Sequence, residues 1–127
     1  MKIRHLGLAL AAGSVLWIAI LLLFCSIARA QDWTDSQIAD AIYLAEGGEK
    51  AKKPFGILSV PCNGYDECRK ICLNTIRNNR ARFLKQDVYS DYLEFLASRY
   101  APVGAGNDPK NLNINWLKNV RSILERG

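Results

Sequence analysis

An uncharged stretch of 19 residues, Leu6 to Phe24, divides this chain of 127 residues into two parts of different composition. Two basic residues precede the stretch, and Ala28-Arg29-Ala30 follows it. This order is typical of a secretory signal peptide, whose cleavage site carries small residues. The pattern therefore predicts a signal peptide over residues 1–30 and a single mature domain over residues 31–127.

An uncleaved membrane anchor is the alternative interpretation of the same stretch. At about 1.5 Å per residue, a helix over residues 6–24 spans nearly the ~30 Å hydrocarbon core of a bilayer. The basic residues on its N-terminal side favour a cytoplasmic location for that end. Either outcome predicts an exported domain, periplasmic or extracellular, that contacts the membrane only through residues 6–24 if the leader stays uncleaved.

The composition of residues 31–127 excludes several functional classes. These 97 residues contain 14 basic and 12 acidic side chains, so the net charge is only +2 and no nucleic-acid partner is expected. The single histidine, His5, is lost with the leader. Without histidine, Ser–His–Asp and Cys–His catalysis are excluded, and three cysteines alone make a poor zinc site. We therefore expect neither a metal nor a cofactor.

Helix signals recur along the whole mature chain and predict an all-α domain. Thr34 and Gln37 have the spacing of a capping box, and the apolar periodicity that follows must end at Gly47-Gly48. Three further helices are predicted, beginning near Asp66 and covering about residues 90–100 and 113–126. No segment alternates like a strand.

The segment between the first two helices is rich in proline and glycine. It contains a short apolar run, which we expect to be buried in an irregular or extended conformation. The run consists of Phe55, Ile57, Leu58 and Val60.

Three cysteines remain after the leader is removed, so at most one intrachain disulfide can form. Cys68 and Cys72 are four residues apart on one predicted helix, where their side chains are too distant and too parallel to bridge easily. Cys62 lies in the preceding loop. The spacing therefore predicts a Cys62–Cys68 disulfide, with Cys62–Cys72 as the second choice, in a structural role.

Glu46 is the most unusual carboxylate in the sequence. Without histidine, acid and base chemistry can come only from carboxylates, lysines or tyrosines. Glu46 closes an apolar helix face, and the two glycines after it leave room for a bulky ligand. Apolar surroundings raise the pKa of a carboxyl group, as a general acid requires. The alternative is a solvated residue at a helix end with a Gly-Gly cap.

Several motifs around Glu46 resemble a known superfamily. The helix Ile38-Ala39-x-Ala41-Ile42-x-x-Ala45-Glu46-Gly47-Gly48, followed by Gly56-Ile57-Leu58-Ser59, resembles the catalytic core of the lysozyme-like lytic transglycosylases. Later motifs are similar to the closing loop and last helix of small phage and bacterial muramidase-like domains. They are Arg99-Tyr100-Ala101-Pro102, Asn107-Asp108-Pro109 and Trp116-Leu117-x-Asn119-Val120. The resemblance covers nearly all of residues 33–126.

The resemblance implies a small lysozyme-like helical domain that cleaves the glycan strands of peptidoglycan. Glu46 would act alone, first as acid on the glycosidic oxygen and then as base on the muramyl 6-hydroxyl, to give an anhydro product. Ser59 replaces the glutamine of the family motif and so shortens a polar contact to substrate. A second carboxylate, Glu49 or Asp108, would instead give a hydrolysed sugar.

Aromatic side chains are candidates for stacking on sugar rings, because they combine apolar area with a polar edge. Tyr43, Tyr100 and Trp116 are the candidates, although core packing explains each of them too. A basic face on the second helix either attracts anionic envelope polymers or is simply solvated. The competing functional hypothesis is a non-catalytic accessory module that binds peptidoglycan or another part of the envelope.

Overall fold

The computed structural model describes residues 32–127, and the predicted signal peptide or anchor lies outside them. Within this range the chain forms helices and no strand, which confirms the all-α prediction. The α-helices are α1 (Asp35–Ala45), α2 (Gly64–Phe83), α3 (Tyr92–Tyr100) and α4 (Trp116–Arg126). Short 3₁₀ turns cover Gly48–Lys50, Pro54–Gly56 and Leu112–Asn115. Over residues 32–127, no helix is both long and apolar enough to cross a membrane.

Both ends of α1 follow from local sequence chemistry. Gln37 N–H donates to Thr34 Oγ1 at 3.2 Å, and Thr34 N–H donates back to Gln37 Oε1 at 2.9 Å. This reciprocal pair is the predicted capping box. At the other end Gly47 has a φ of 107°, a left-handed conformation that glycine adopts without steric cost. Glu46 is therefore the C-cap of α1, as the Gly-Gly stop predicts.

The core forms where α1 packs against α2 and α4. Ile38 and Ile42 of α1 are fully buried, as their helical spacing predicts. The side chains that they meet come from all the other helices and from the turn at residues 54–56. These include Phe55, Cys72, Ile76, Leu96 and Val120.

The prediction that the apolar run at residues 55–60 is buried is correct for two of its four apolar residues. Phe55 and Ile57 are buried, whereas Leu58 is 59% exposed and Val60 is 44% exposed. The backbone at Ile57 is extended, with φ −75° and ψ 111°. Neighbouring side chains on an extended backbone point in opposite directions, so the burial of Ile57 turns Leu58 outward.

The basic face of α2 is partly engaged with α1 rather than simply solvated. Arg69 forms an ion pair with Asp40 at 2.9 Å. Arg80 forms an ion pair with Asp35, and its Nη2 donates to the Trp33 carbonyl oxygen. Both arginines therefore connect α2 to the start of the domain.

The Cys62–Cys68 disulfide is present, with 5.2 Å between the two Cα atoms, which confirms the first-choice pairing. It joins the loop before α2 to the second turn of that helix. Cys72, one turn further on, is a buried free thiol. Burial raises the pKa of this thiol to about 11.

Removal of the disulfide is expected to lower the free energy of unfolding by about 2 kcal/mol. The bond closes a loop of seven residues, and the chain-entropy relation gives this magnitude for so short a loop. Cys62→Ser should show the loss in urea unfolding. A reductant should bring the wild-type protein to the stability of the variant and leave the variant unchanged. Equal stabilities of oxidised wild type and variant would contradict the prediction.

Candidate active site

The Glu46 carboxyl group is held between the end of α1 and the start of α4. Trp116 Nε1–H donates to Glu46 Oε1 at 2.9 Å. The two residues are 70 positions apart in the sequence, and the packing of α4 on α1 brings them together. The indole therefore fixes one carboxyl oxygen at a defined position.

Gly56 lies directly against the same carboxyl group. A Cβ atom at Gly56 would be 2.6 Å from both Cδ and Oε2 of Glu46, closer than atoms of a side chain can approach. Gly56 also has a φ of 65°, in the left-handed region that favours glycine. Only glycine therefore satisfies both the backbone and the contact with Glu46.

Tyr100 fixes the turn that carries Gly56. Its hydroxyl donates to the Phe55 carbonyl oxygen at 2.6 Å. Phe55 is fully buried and has a φ of 60°, which is uncommon for a bulky side chain. The buried ring and the hydrogen bond together hold the turn at residues 54–56 against the Glu46 carboxyl group.

Two adjoining pockets open beside Glu46 and share Gly56, Leu58, Tyr100 and Asn107. The first contains Glu46 with two lysines, Lys52 and Lys53, and the second contains Ser59 and Arg99. We call the two pockets together the groove. Their volumes are about 260 and 220 Å³, so a ligand larger than a single small molecule would have to occupy both.

Burial raises the pKa of Glu46 above the ordinary value of a glutamate, and the hydrogen bond from Trp116 partly opposes this shift. The protonated form therefore persists to higher pH than in a solvated glutamate. In residues 32–127, no buried polar side-chain atom lacks a hydrogen-bond partner. Because Oε2 has no such partner in this range, it is not fully buried, and Glu46 itself lines the first pocket of the groove.

The structure brings together three of the five residues that we expected at the site, and Tyr43 instead packs against other aromatic rings. Glu46, Ser59 and Tyr100 all line the groove. Trp116 is different, because its side chain is 6% exposed and stacks on Tyr100 with 5.3 Å between ring centroids. A buried ring offers no open face to a sugar, so the expected stacking role of Trp116 is replaced by its contact with Glu46.

The two alternative carboxylates do not join Glu46 in the groove. Asp108 is 6% exposed, and its carboxylate accepts backbone N–H bonds from Gly104, Leu112 and Asn113 at 3.4, 2.7 and 3.3 Å. It organises the loop before α4. Glu49 is exposed on the 3₁₀ turn after α1. Among the described residues that line the groove, Glu46 is the one carboxylate.

The sequence assigned no role to the three basic residues of the groove, which are Lys52, Lys53 and Arg99. The lysines lie in an irregular segment, where no periodicity indicates which side chains share a surface. Within the described range, no cluster of histidine, cysteine, aspartate and glutamate side chains is suited to hold a metal ion.

Comparisons of the chain with protein-family models, with curated proteins and with solved structures give no match. The function is therefore inferred from the groove and the side chains around Glu46.

Trp116→Phe is expected to raise the pKa of Glu46 further. The variant keeps an aromatic ring in the core but removes the hydrogen bond that favours the carboxylate form. NMR titration of the Glu46 side-chain carboxyl carbon should show the upward shift. Trp33→Phe is the matched control, since it alters an indole away from the carboxyl group and should leave the titration unchanged. An unchanged or lower pKa in Trp116→Phe would contradict the prediction.

Proposed function

We propose that this domain is a peptidoglycan-cleaving glycosidase of the lytic transglycosylase or muramidase type. It uses a small lysozyme-like helical architecture, with Glu46 as the general acid and base. The observation that carries the proposal is the partly buried Glu46 carboxyl group, which lines the groove and is oriented by Trp116 through Oε1, while Oε2 has no hydrogen-bond partner among residues 32–127.

The environment of Glu46 supports the acid role. A general acid must be protonated when substrate binds, and burial raises the pKa of this carboxyl group. The hydrogen bond from Trp116 occupies Oε1, so Oε2 is the atom that would carry the proton toward the glycosidic oxygen. Gly56 lies against the carboxyl group, and because glycine has no side chain, residue 56 does not cover Oε2 with one.

The proposed reaction needs one carboxyl group and no metal or cofactor. Glu46 donates its proton to the glycosidic oxygen as the bond from that oxygen to C1 of the muramyl residue breaks. The resulting carboxylate then accepts the proton of the muramyl 6-hydroxyl, whose oxygen bonds to C1. The products are a 1,6-anhydromuramyl end and a free hydroxyl on the departing sugar, and Glu46 returns to its protonated state.

The arrangement of the other carboxylates favours this route over hydrolysis by a carboxylate pair. Paired glycosidases place two carboxyl groups roughly 5 to 9.5 Å apart across the scissile bond. Asp108 is committed to backbone amides, and Glu49 lies outside the lining of the groove. The anhydro product is therefore the one that we expect.

Substrate contacts are assigned to the groove residues next to Glu46. Ser59 supplies a hydroxyl from the second pocket, where the resemblance implies a polar contact to the glycan. Tyr100 lines both pockets, and its hydroxyl is bound to the Phe55 carbonyl oxygen, so we assign its ring to the contact with a sugar. Residues 1–30 would deliver the domain to the periplasm or beyond, and the Cys62–Cys68 disulfide suits that oxidising compartment.

The test is incubation of residues 31–127 with purified cell walls, followed by mass analysis of the released products. Wild-type protein is expected to release muropeptides with anhydro ends, each one water molecule lighter than a hydrolysed product. Glu46→Gln should release them at least about 100-fold more slowly. No release by the wild type, or equal release by both proteins, would refute the enzymatic proposal. Co-sedimentation with cell walls without release would instead support the accessory binding module.

A further inference from the structure

Arg99, next to Tyr100 at the end of α3, has a guanidinium group that the protein itself orients. Its Nε–H donates to Asn79 Oδ1 at 2.7 Å. Asn79 is 3% exposed, and its Nδ2 donates to the Thr75 carbonyl oxygen at 2.9 Å. This second bond fixes which atom of the amide faces Arg99. A guanidinium held in this way loses less conformational entropy on binding a ligand than a free arginine does.

The outer nitrogen atoms of Arg99 form no ion pair and no hydrogen bond among residues 32–127, although the guanidinium lies 5.9 Å from the centroid of the Phe95 ring. No carboxylate of this range lies within 4.0 Å of the Arg99 guanidinium, whereas Arg69, Arg80 and Arg121 each pair with an aspartate. The Nη atoms also make no hydrogen bond within the same residues, since Asn79 is bound through Nε. Arg99 thus lines the second pocket of the groove with an oriented guanidinium group whose Nη donors are unused among these residues.

The charges along the groove are arranged around Glu46. Lys52 and Lys53 line the first pocket together with Glu46, and Arg99 lines the second. Three cations and one carboxyl group therefore border the groove. When Glu46 is protonated, only the three positive charges remain. This distribution complements a ligand that carries negative charge on either side of the bond to be cleaved.

We propose that Arg99 binds a free carboxylate of the substrate and thereby makes the groove selective for carboxylate-bearing glycan strands. The inference rests on the function proposed above. A guanidinium fork matches the two oxygens of a carboxylate in a bidentate contact. In peptidoglycan such a carboxylate comes from the stem peptide or, where the peptide has been removed, from the lactyl group of the muramyl residue.

Binding can be measured without cleavage in a Glu46→Gln background, by co-sedimentation with native cell walls and with walls whose carboxylates have been amidated. Adding Arg99→Gln is expected to weaken binding to native walls about tenfold, or about 1.4 kcal/mol. On amidated walls the two proteins should bind equally weakly. Arg82→Gln is the matched control, because it removes the same charge from an exposed position on α2 outside the lining of the groove.

A third substrate, walls stripped of stem peptides by an amidase, separates the two sources of the carboxylate. An Arg99 effect confined to native walls assigns the contact to the stem peptide, and an effect that is also present on stripped walls shows that Arg99 accepts the lactyl carboxylate that the amidase exposes. The proposal is overturned if the parent protein does not bind native walls, if Arg99→Gln and Arg82→Gln bind alike, or if amidation leaves the Arg99 effect intact. Muropeptide release is a separate readout, so a protein that binds in this way without cleaving would refute only the enzymatic proposal.

Discussion

Glu46→Gln is expected to reduce the rate of muropeptide release by about 10²- to 10⁴-fold, the contribution typical of a positioned general acid. Glutamine has nearly the same shape as glutamate, and its Oε1 can still accept the hydrogen bond from Trp116. The amide cannot transfer a proton to the glycosidic oxygen. The loss should therefore appear in the rate of bond cleavage, measured by mass analysis of soluble products over time, and not in sedimentation with the walls.

The same variant should have a higher free energy of unfolding than the wild type at neutral pH. Removal of a carboxylate that supports the fold would lower this free energy instead. Burial holds the folded-state pKa of Glu46 above the unfolded value of 4.5. The contribution of Glu46 to the free energy of unfolding is therefore fully present below pH 4.5, and it is lost as the pH rises through the folded-state pKa. Glutamine does not titrate, so wild type and variant should differ in free energy of unfolding at neutral pH and converge below pH 4.5.

Urea unfolding at the two pH values, together with the cleavage assay, tests both expectations. Glu49→Gln is the matched control, because it removes a carboxylate from an exposed position three residues away. It should leave the cleavage rate and the stability unchanged. A Glu46→Gln protein that loses stability at neutral pH along with activity would show that Glu46 supports the fold instead of the chemistry.

The parts of this domain that the sequence predicted correctly depend on chemistry within a few residues. The Thr34 capping box and the glycine stop at Gly47 each involve neighbours along the chain, and so they determine where α1 begins and ends. The Cys62–Cys68 pairing was equally local, since Cys68 and Cys72 lie one turn apart on the same helix and cannot easily bridge, which leaves Cys62 as the partner. Periodicity placed Ile38 and Ile42 in the core for the same reason.

The parts that could not be predicted depend on how the helices pack. Helical spacing shows that Trp116 belongs to an apolar face of α4, but only the contact of α4 with α1 determines that its N–H reaches Glu46. The burial of Asp108 depends likewise on a loop whose backbone amides surround it. Arg99 needed the buried amide of Asn79, twenty residues earlier, to become an oriented donor.

Gly56→Ala is expected to reduce cleavage about 100-fold while the domain remains folded. The new Cβ would lie 2.6 Å from Cδ and Oε2 of Glu46, and the flexible glutamate side chain is the part that can move. Moving the carboxyl group away from Gly56 shifts Oε2 from its present position and strains the hydrogen bond from Trp116. A displacement of about 1 Å at a reacting group costs on the order of 100-fold in rate. The cell-wall assay measures this loss.

Gly64→Ala separates the effect on Glu46 from the backbone strain that both substitutions introduce. Gly64 has a φ of 76°, close to the 65° of Gly56, but no atom lies within 4 Å of the position that its Cβ would take. Each variant should therefore lose about 1–2 kcal/mol of unfolding free energy, the cost of a left-handed conformation for an L-residue. Only Gly56→Ala should also lose activity. Equal cleavage rates in the two variants would show that the contact between Gly56 and Glu46 does not position the acid.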